Sequence, residues 1–178
     1  MDVIFDIDGT LADASHRLHF IKDTAHWVTP DDKPVSPPKP DWNSFLSYDQ
    51  VAKDSPIPQT WAILGSLLHD HHRVIFITGR PEKTRKMTYQ WLMTACPVRA
   101  LAWNYWSNRR KSGGALGPVI YMRKNGDHRP SSVVKEESLL LAKENGFNPV
   151  MVFEDRADDT AMWRRNGLLC CQVADGNY

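Results

Sequence analysis

Six short apolar runs punctuate the chain, at Val3–Phe5, Val74–Thr78, Val98–Trp103, Val119–Tyr121, Val150–Phe153 and Leu168–Val173. Each has the length of a strand, and Val, Ile and Phe recur in them, side chains that suit a pleated, buried surface. Between several of them the period changes. Over Thr60–His69, Trp61, Leu64, Leu67 and Leu68 recur at three- and four-residue spacing, which gathers them on one helical face. Pro81–Thr94 opens on a proline suited to a first helical turn and spaces Met87, Trp91 and Leu92 for burial. Ser132–Asn145 carries Val133, Val134 and Leu139–Leu141 and stops at Gly146, while Asp158–Asn166 stops the same way at Gly167. Strands alternating with helices predict an α/β fold on a doubly wound parallel sheet.

Two stretches break the alternation. Residues 14–58 hold seven of the twelve prolines and are long for plain loop, so they read as a small lid inserted after the first strand. Short helices are expected in it around Arg17–Thr24 and Trp42–Tyr48. The second stretch, Asn104–Ser131, is rich in Arg, Lys, Gly and Ser. The whole of 1–178 reads as one domain, with 14–58 as its insertion.

Composition narrows the function classes only a little. A net charge of +1 gives no global basic field, so any contact with nucleic acid must come from a local patch. Three cysteines, two of them adjacent, make neither a disulfide framework nor a spaced zinc motif. Asp2, Asp6 and Asp8 break any signal-peptide core, and no run approaches the ~18–20 apolar residues of a membrane span. A soluble, cytoplasmic protein is expected.

The candidate chemistry sits where strands end. "DIDGT" places Asp6 just past an apolar strand and Asp8 two residues on, the same side in extended geometry. In an open α/β sheet, ligands gather at the carboxyl ends of strands. Gly9 permits a tight turn and Thr10 offers a hydroxyl. One such carboxylate can attack phosphorus while its neighbour moves protons, and magnesium would relieve their repulsion and hold a phosphoryl oxygen. "FITGR" repeats the logic at a second strand end, with Thr78, the close-approaching Gly79 and the forked cation Arg80. Lys135 in "VVKEE" sits near a helix start, where an ammonium can neutralise a phosphoryl group. Glu154 and Asp155 end a strongly apolar strand and read as ligands for a hard cation. Asp158 and Asp159 read as acids capping the next helix.

In this order the signals resemble the haloacid dehalogenase (HAD) superfamily, with DIDGT, Thr78, Lys135 and Glu154/Asp155 as its four motifs. The resemblance implies Asp6 as the nucleophile that forms an aspartyl-phosphate and Asp8 as general acid and base. It further implies Mg²⁺ held by Asp6, the Asp8 backbone carbonyl and Asp155. Within the superfamily, "TGR", "GDHR", "VVKEE" and the "MWRRNGLLCCQVADG" ending are similar to the 3′-phosphatase domain of bacteriophage polynucleotide kinase-phosphatase. That likeness implies phosphate-binding roles for Arg17 and Arg80 and a basic family position at Arg129. Three departures stand out: Ser131 replaces an acid often found four residues before the lysine, Glu154 replaces the commoner Asp, and the insertion is large. No phosphate-binding P-loop precedes the domain, so kinase activity is not expected.

The leading expectation is therefore a Mg²⁺-dependent phosphomonoesterase for nucleic-acid 3′-phosphate ends. A free-nucleotide monophosphatase and a nucleic-acid-end binding module with weak catalysis are the alternatives. "WNYWSNRRKSGG" interleaves aromatics with cations as single-stranded nucleic acid would require, and Trp27 and Trp42 in the lid could stack on a base. Trp61, Trp91 and Trp163 fall at core spacing. "HDHH" at His69–His72 suits an exposed helix end.

Overall fold

The computed structural model describes residues 1–22, 39–96 and 117–176. Alternating side-chain direction along the strands sets the layers. In β1 (Asp2–Phe5), Val3 and Phe5 join one hydrophobic cluster and Ile4 the other, all fully buried. In β4 (Arg73–Pro81), Val74 and Phe76 go with the first cluster and Ile75 and Ile77 with the second. A strand apolar on both sides must be covered on both sides, which is how buried parallel sheets read in sequence.

A short antiparallel pair, β2 (Ala12–Asp13) and β3 (Ser55–Pro56), precedes β4 in the chain. After β4 come β5 (Val119–Arg123), β6 (Pro149–Glu154) and β7 (Leu169–Gln172). The main sheet is parallel with the order β5-β4-β1-β6-β7. On its first face lie α3 (Pro58–His69), through Trp61, Leu64 and Leu68, and α4 (Arg85–Ala95), through Trp91 and Leu92. On the second lie α5 (Ser131–Glu144), through Leu139 and Ala142, and α6 (Ala157–Arg165), through Met162 and Trp163. The chain thus winds one way from β1 to β4 and the other way from β6 to β7. The crevice between β1 and β6 is the switch point, where such sheets bind ligands.

The doubly wound α/β expectation is met, and so is the core placement of the three tryptophans. Gly146 and Gly167, at φ 82° and 79°, end α5 and α6 in the left-handed conformation that glycine allows. Most boundaries shift by one or two residues, and three places differ more. The strand expected to stop at Thr78 runs to Pro81, with a shift of register against β5 between Thr78 and Pro81. The helix expected from Pro81 begins at Arg85, after a 3-10 turn over Glu82–Thr84; Pro81 itself is extended, at φ −75° and ψ 153°. The helix expected at Trp42–Tyr48 is two single turns, α1 (Trp42–Phe45) and α2 (Tyr48–Val51), because the extended Ser47 interrupts it. Asp41 starts α1 by accepting from the N–H groups of Asn43 and Ser44. Around Arg17 the chain forms a 3-10 helix over Ser15–Phe20. The expected strand Val98–Trp103, the Trp/Arg-rich "WNYWSNRRKSGG" and Trp27 lie outside the described residues. No helix among the described residues is long and apolar enough to cross a membrane.

Candidate active site

Asp6 leaves β1 still paired to β6: its N–H donates to the Phe153 carbonyl at 3.0 Å. That pairing sets its carboxylate beside the acids ending β6. The chain then turns tightly. Gly9 stands at φ 78°, and the Ile7 carbonyl accepts from the N–H groups of Leu11 and Ala12, both at 2.8 Å. Thr10 is fully buried in this turn; its carbonyl takes the Thr60 hydroxyl at 2.5 Å, and its own hydroxyl has no partner among the described residues.

Asp6, Glu154 and Asp155 are all buried and offer carboxylate oxygens within 4.8 Å of one another. Lys135, in the second turn of α5, reaches into them. Its ammonium lies 3.0 Å from Asp6 Oδ1 and 2.8 Å from both Glu154 Oε2 and Asp159 Oδ2. Burial pushes the Asp6 carboxyl well above its usual range; Lys135 opposes this, while Glu154, Asp155 and Asp8 add to it. The ammonium is itself raised well above the ordinary lysine range, since Asp6, Glu154 and Asp159 outweigh its burial. One lysine does not neutralise so many carboxylates. Hard oxygen donors carrying excess negative charge fit a divalent cation such as Mg²⁺. Within the cluster, Glu154 is already well supplied: Lys135, the Trp163 indole and two backbone N–H groups donate to it.

The Asp8 carboxylate is taken up by two arginines, which leaves its backbone carbonyl as the atom expected to face a metal. The carboxylate accepts from Arg17 Nη2 at 2.6 Å, from Arg80 Nη2 at 2.6 Å and from Arg80 Nε at 2.9 Å. Burial works to raise Asp8, but Arg80 and then Arg17 overcome it and hold the carboxyl far below the usual range. Behind the pair of guanidiniums stands Asp54, fully buried, accepting from Arg17 at 2.7 and 2.6 Å and from Arg80 at 3.1 Å. Arg17 also donates to the Phe45 carbonyl at 3.0 Å and lies 4.1 Å over the Phe45 ring. Two lobes result, a cation-seeking cluster around Asp6 and an arginine clamp on Asp8.

Both lobes open on a cleft of about 440 Å³ whose walls include Trp42, Phe45, Thr78, Gly79, Lys83, Lys124 and Arg156. Thr78 is buried and accepts the Arg80 N–H at 3.3 Å; the register shift at the end of β4 is what brings Thr78, Gly79 and Arg80 to the floor. Arg129 lines the cleft but is committed outward. It pairs with Asp127 and Glu137, each at 2.7 Å, on an exposed surface.

Two residues with no expected place in the site sit at its centre. Asp54 carries no periodic signal, and its contact with Arg17 spans 37 positions. Asp159, in the first turn of α6 as expected, makes no capping hydrogen bond among the described residues. It is instead a fully buried partner of Lys135 that accepts the Ser131 hydroxyl at 2.8 Å. The acid missing at Ser131 is thus supplied from α6.

Comparison with known proteins agrees with this geometry. The family described as the polynucleotide kinase PNKP phosphatase domain matches residues 41–178. A chain in the structure of the Pnkp1/Rnl/Hen1 RNA repair complex is 20% identical, with a TM-score of 0.63 over 99% of this chain and 43% of that one. A haloacid dehalogenase-like hydrolase from Streptococcus pneumoniae is 13% identical, with a TM-score of 0.56 over 95% of this chain and 82% of its own. A HAD-like hydrolase from Porphyromonas gingivalis is 11% identical, with a TM-score of 0.51. Such identities speak for the fold, and this chain spans under half the length of the matched chain in the RNA repair complex. The family match, which covers most of the chain, goes further: this chain belongs to the PNKP phosphatase-domain family of the HAD superfamily and is a phosphatase.

Proposed function

We propose that the protein is a Mg²⁺-dependent phosphomonoesterase that acts on nucleic-acid 3′-phosphate ends through an aspartyl-phosphate on Asp6. The observation that carries this reading is Asp6 itself. Its Oδ1 lies 3.0 Å from Lys135 in a buried acidic cluster that opens on a cleft walled by further cations. Asp6 attacks phosphorus in line, forming the Asp6–phosphorus bond as the bond to the sugar oxygen breaks. Asp8 hands that oxygen its proton, then takes one from the water that cleaves the Asp6–phosphorus bond.

Arg17 and Arg80 hold Asp8 ionised, the form needed as a base. An incoming phosphate dianion competes for both guanidiniums, and their withdrawal raises Asp8 toward the range where it carries a proton. Asp54 keeps the two arginines in place through that exchange of partners. Lys135 and Thr78 face the phosphoryl oxygens, where charge stabilisation is most effective. Asp6, the Asp8 carbonyl and Asp155 would hold Mg²⁺, which supplies charge neutralisation at a phosphoryl oxygen; Glu154, filled by other donors, orients Lys135. Residues 14–58 act as a lid within the single domain 1–178. The match to the polynucleotide kinase phosphatase-domain family supports a nucleic-acid end as the substrate.

A free nucleotide is the second reading, favoured by the cleft volume of about 440 Å³, the size of a small-molecule site. Phosphate release separates the two, measured with Mg²⁺ and with EDTA on 3′- and 5′-phosphorylated oligonucleotides and on free 3′- and 5′-mononucleotides. Mg²⁺-dependent preference for the 3′-phosphorylated oligomer is expected. Preference for a mononucleotide transfers the protein to nucleotide metabolism, and equal activity in EDTA removes the metal from the account.

A further inference from the structure

The described tryptophans divide into two kinds. Trp61, Trp91 and Trp163 are at most 4% exposed, whereas Trp42 is 51% exposed and forms part of the cleft wall. A large aromatic left half in water at the mouth of a polar site is not there for the core. Nor is it loosely held. Its ring meets Phe45 edge-on, with centroids 5.7 Å apart at 86°, and α1 beneath it is capped by Asp41.

The same contacts lead straight to the reacting groups. Phe45 carries the Arg17 guanidinium on its ring, and Arg17 donates to Asp8 at 2.6 Å. Across the mouth, Lys83 bridges to the neighbouring Asn43 through Nζ and Oδ1 at 3.1 Å, tying the Trp42 turn to the segment after β4. Lys83 and Lys124 line the cleft beside it. A rigid exposed indole next to ammonium groups matches a base with its sugar-phosphate backbone: the ring face takes the base, the cations the adjoining phosphodiester.

We propose that Trp42 is a specificity-determining residue, the stacking wall for a nucleobase of the substrate end. The proposal rests on the 3′-phosphatase reading and names how that site distinguishes a nucleotide end from any other phosphomonoester. It concerns ground-state binding, so it acts on KM and leaves the chemical step to Asp6 and Asp8.

The test compares a 3′-phosphorylated dinucleotide with its abasic counterpart, in wild type, Trp42→Ala, Trp42→Leu and Trp42→Phe. Trp42→Ala is expected to raise KM for the base-bearing substrate by roughly five- to hundredfold, the usual span for base–aromatic stacking. Its kcat and its KM for the abasic substrate stay within about twofold. Trp42→Leu keeps an apolar contact with Phe45 but has no π face, and behaves like Ala; Trp42→Phe retains most of the preference. If Trp42→Ala shifts KM equally for both substrates or for neither, or if Leu restores the preference, Trp42 is only packing and the proposal falls. If wild type releases phosphate from neither substrate, the 3′-phosphatase reading falls and takes this proposal with it.

Discussion

At Gly176 the chain folds back onto the acidic cluster. Its N–H donates to the Asp155 carbonyl at 3.0 Å, and the Gln172 amide donates to the same oxygen at 3.1 Å. A Cβ at position 176 would overlap Asp155 Oδ2 and lie 2.7 Å from its Cγ. Gly176→Ala must therefore push the Asp155 carboxylate away. Disturbing what orients a metal ligand typically costs about 10–100-fold in affinity, and a loss of that order is expected for Mn²⁺ or Mg²⁺ followed by direct titration. Unchanged metal affinity would remove Asp155 from the metal site. Asp54→Ala acts differently: it strands two buried guanidiniums, so a loss of roughly 3–5 kcal/mol in denaturant unfolding is expected together with reduced kcat. A stability change under about 1 kcal/mol would mean that water or Asp8 takes over the arginines.

The elements explain why some of these residues were legible and others not. Asp6, Asp8, Thr78, Glu154 and Asp155 each end or follow an apolar run, and a parallel sheet delivers strand ends to one edge whatever else the chain does. Lys135 was legible through its place near a helix start. Asp54 was not, because it precedes β3, a two-residue strand with no period of its own, and its partners come from a 3-10 turn and the end of β4. Asp159 was not legible either, because an acid in the first turn of a helix has an adequate local reason to be there. Arg129 has local ion-pair partners in Asp127 and Glu137 that a motif position does not disclose. The helix expected from Pro81 was displaced because Pro81 itself is extended and Glu82–Thr84 take a 3-10 turn before α4 begins.

On the scale of the whole molecule, the proposed Mg²⁺ site would couple cation binding to folding through Asp6. Its folded carboxyl is raised above the ordinary 3.8, chiefly by burial. Its contribution to stability is then complete below that ordinary value and is lost as pH rises through the folded one. Mg²⁺ requires the ionised carboxylate, so its stabilisation must grow over the same rise in pH. Thermal unfolding at a series of pH values, in EDTA and in Mg²⁺, is expected to give two curves that diverge upward with pH, and Asp6→Asn should flatten the divergence. A Mg²⁺ shift independent of pH would mean that the ion sits elsewhere. The central claim, that Asp6 becomes phosphorylated, has a more direct test. Acid-quenching the enzyme during turnover of a 3′-phosphorylated oligonucleotide, then reducing with borohydride, converts an aspartyl-phosphate to homoserine. Peptide mass spectrometry is expected to find homoserine at position 6 and at no other carboxylate. Turnover with position 6 unmodified, or modification at another acid, would contradict the account.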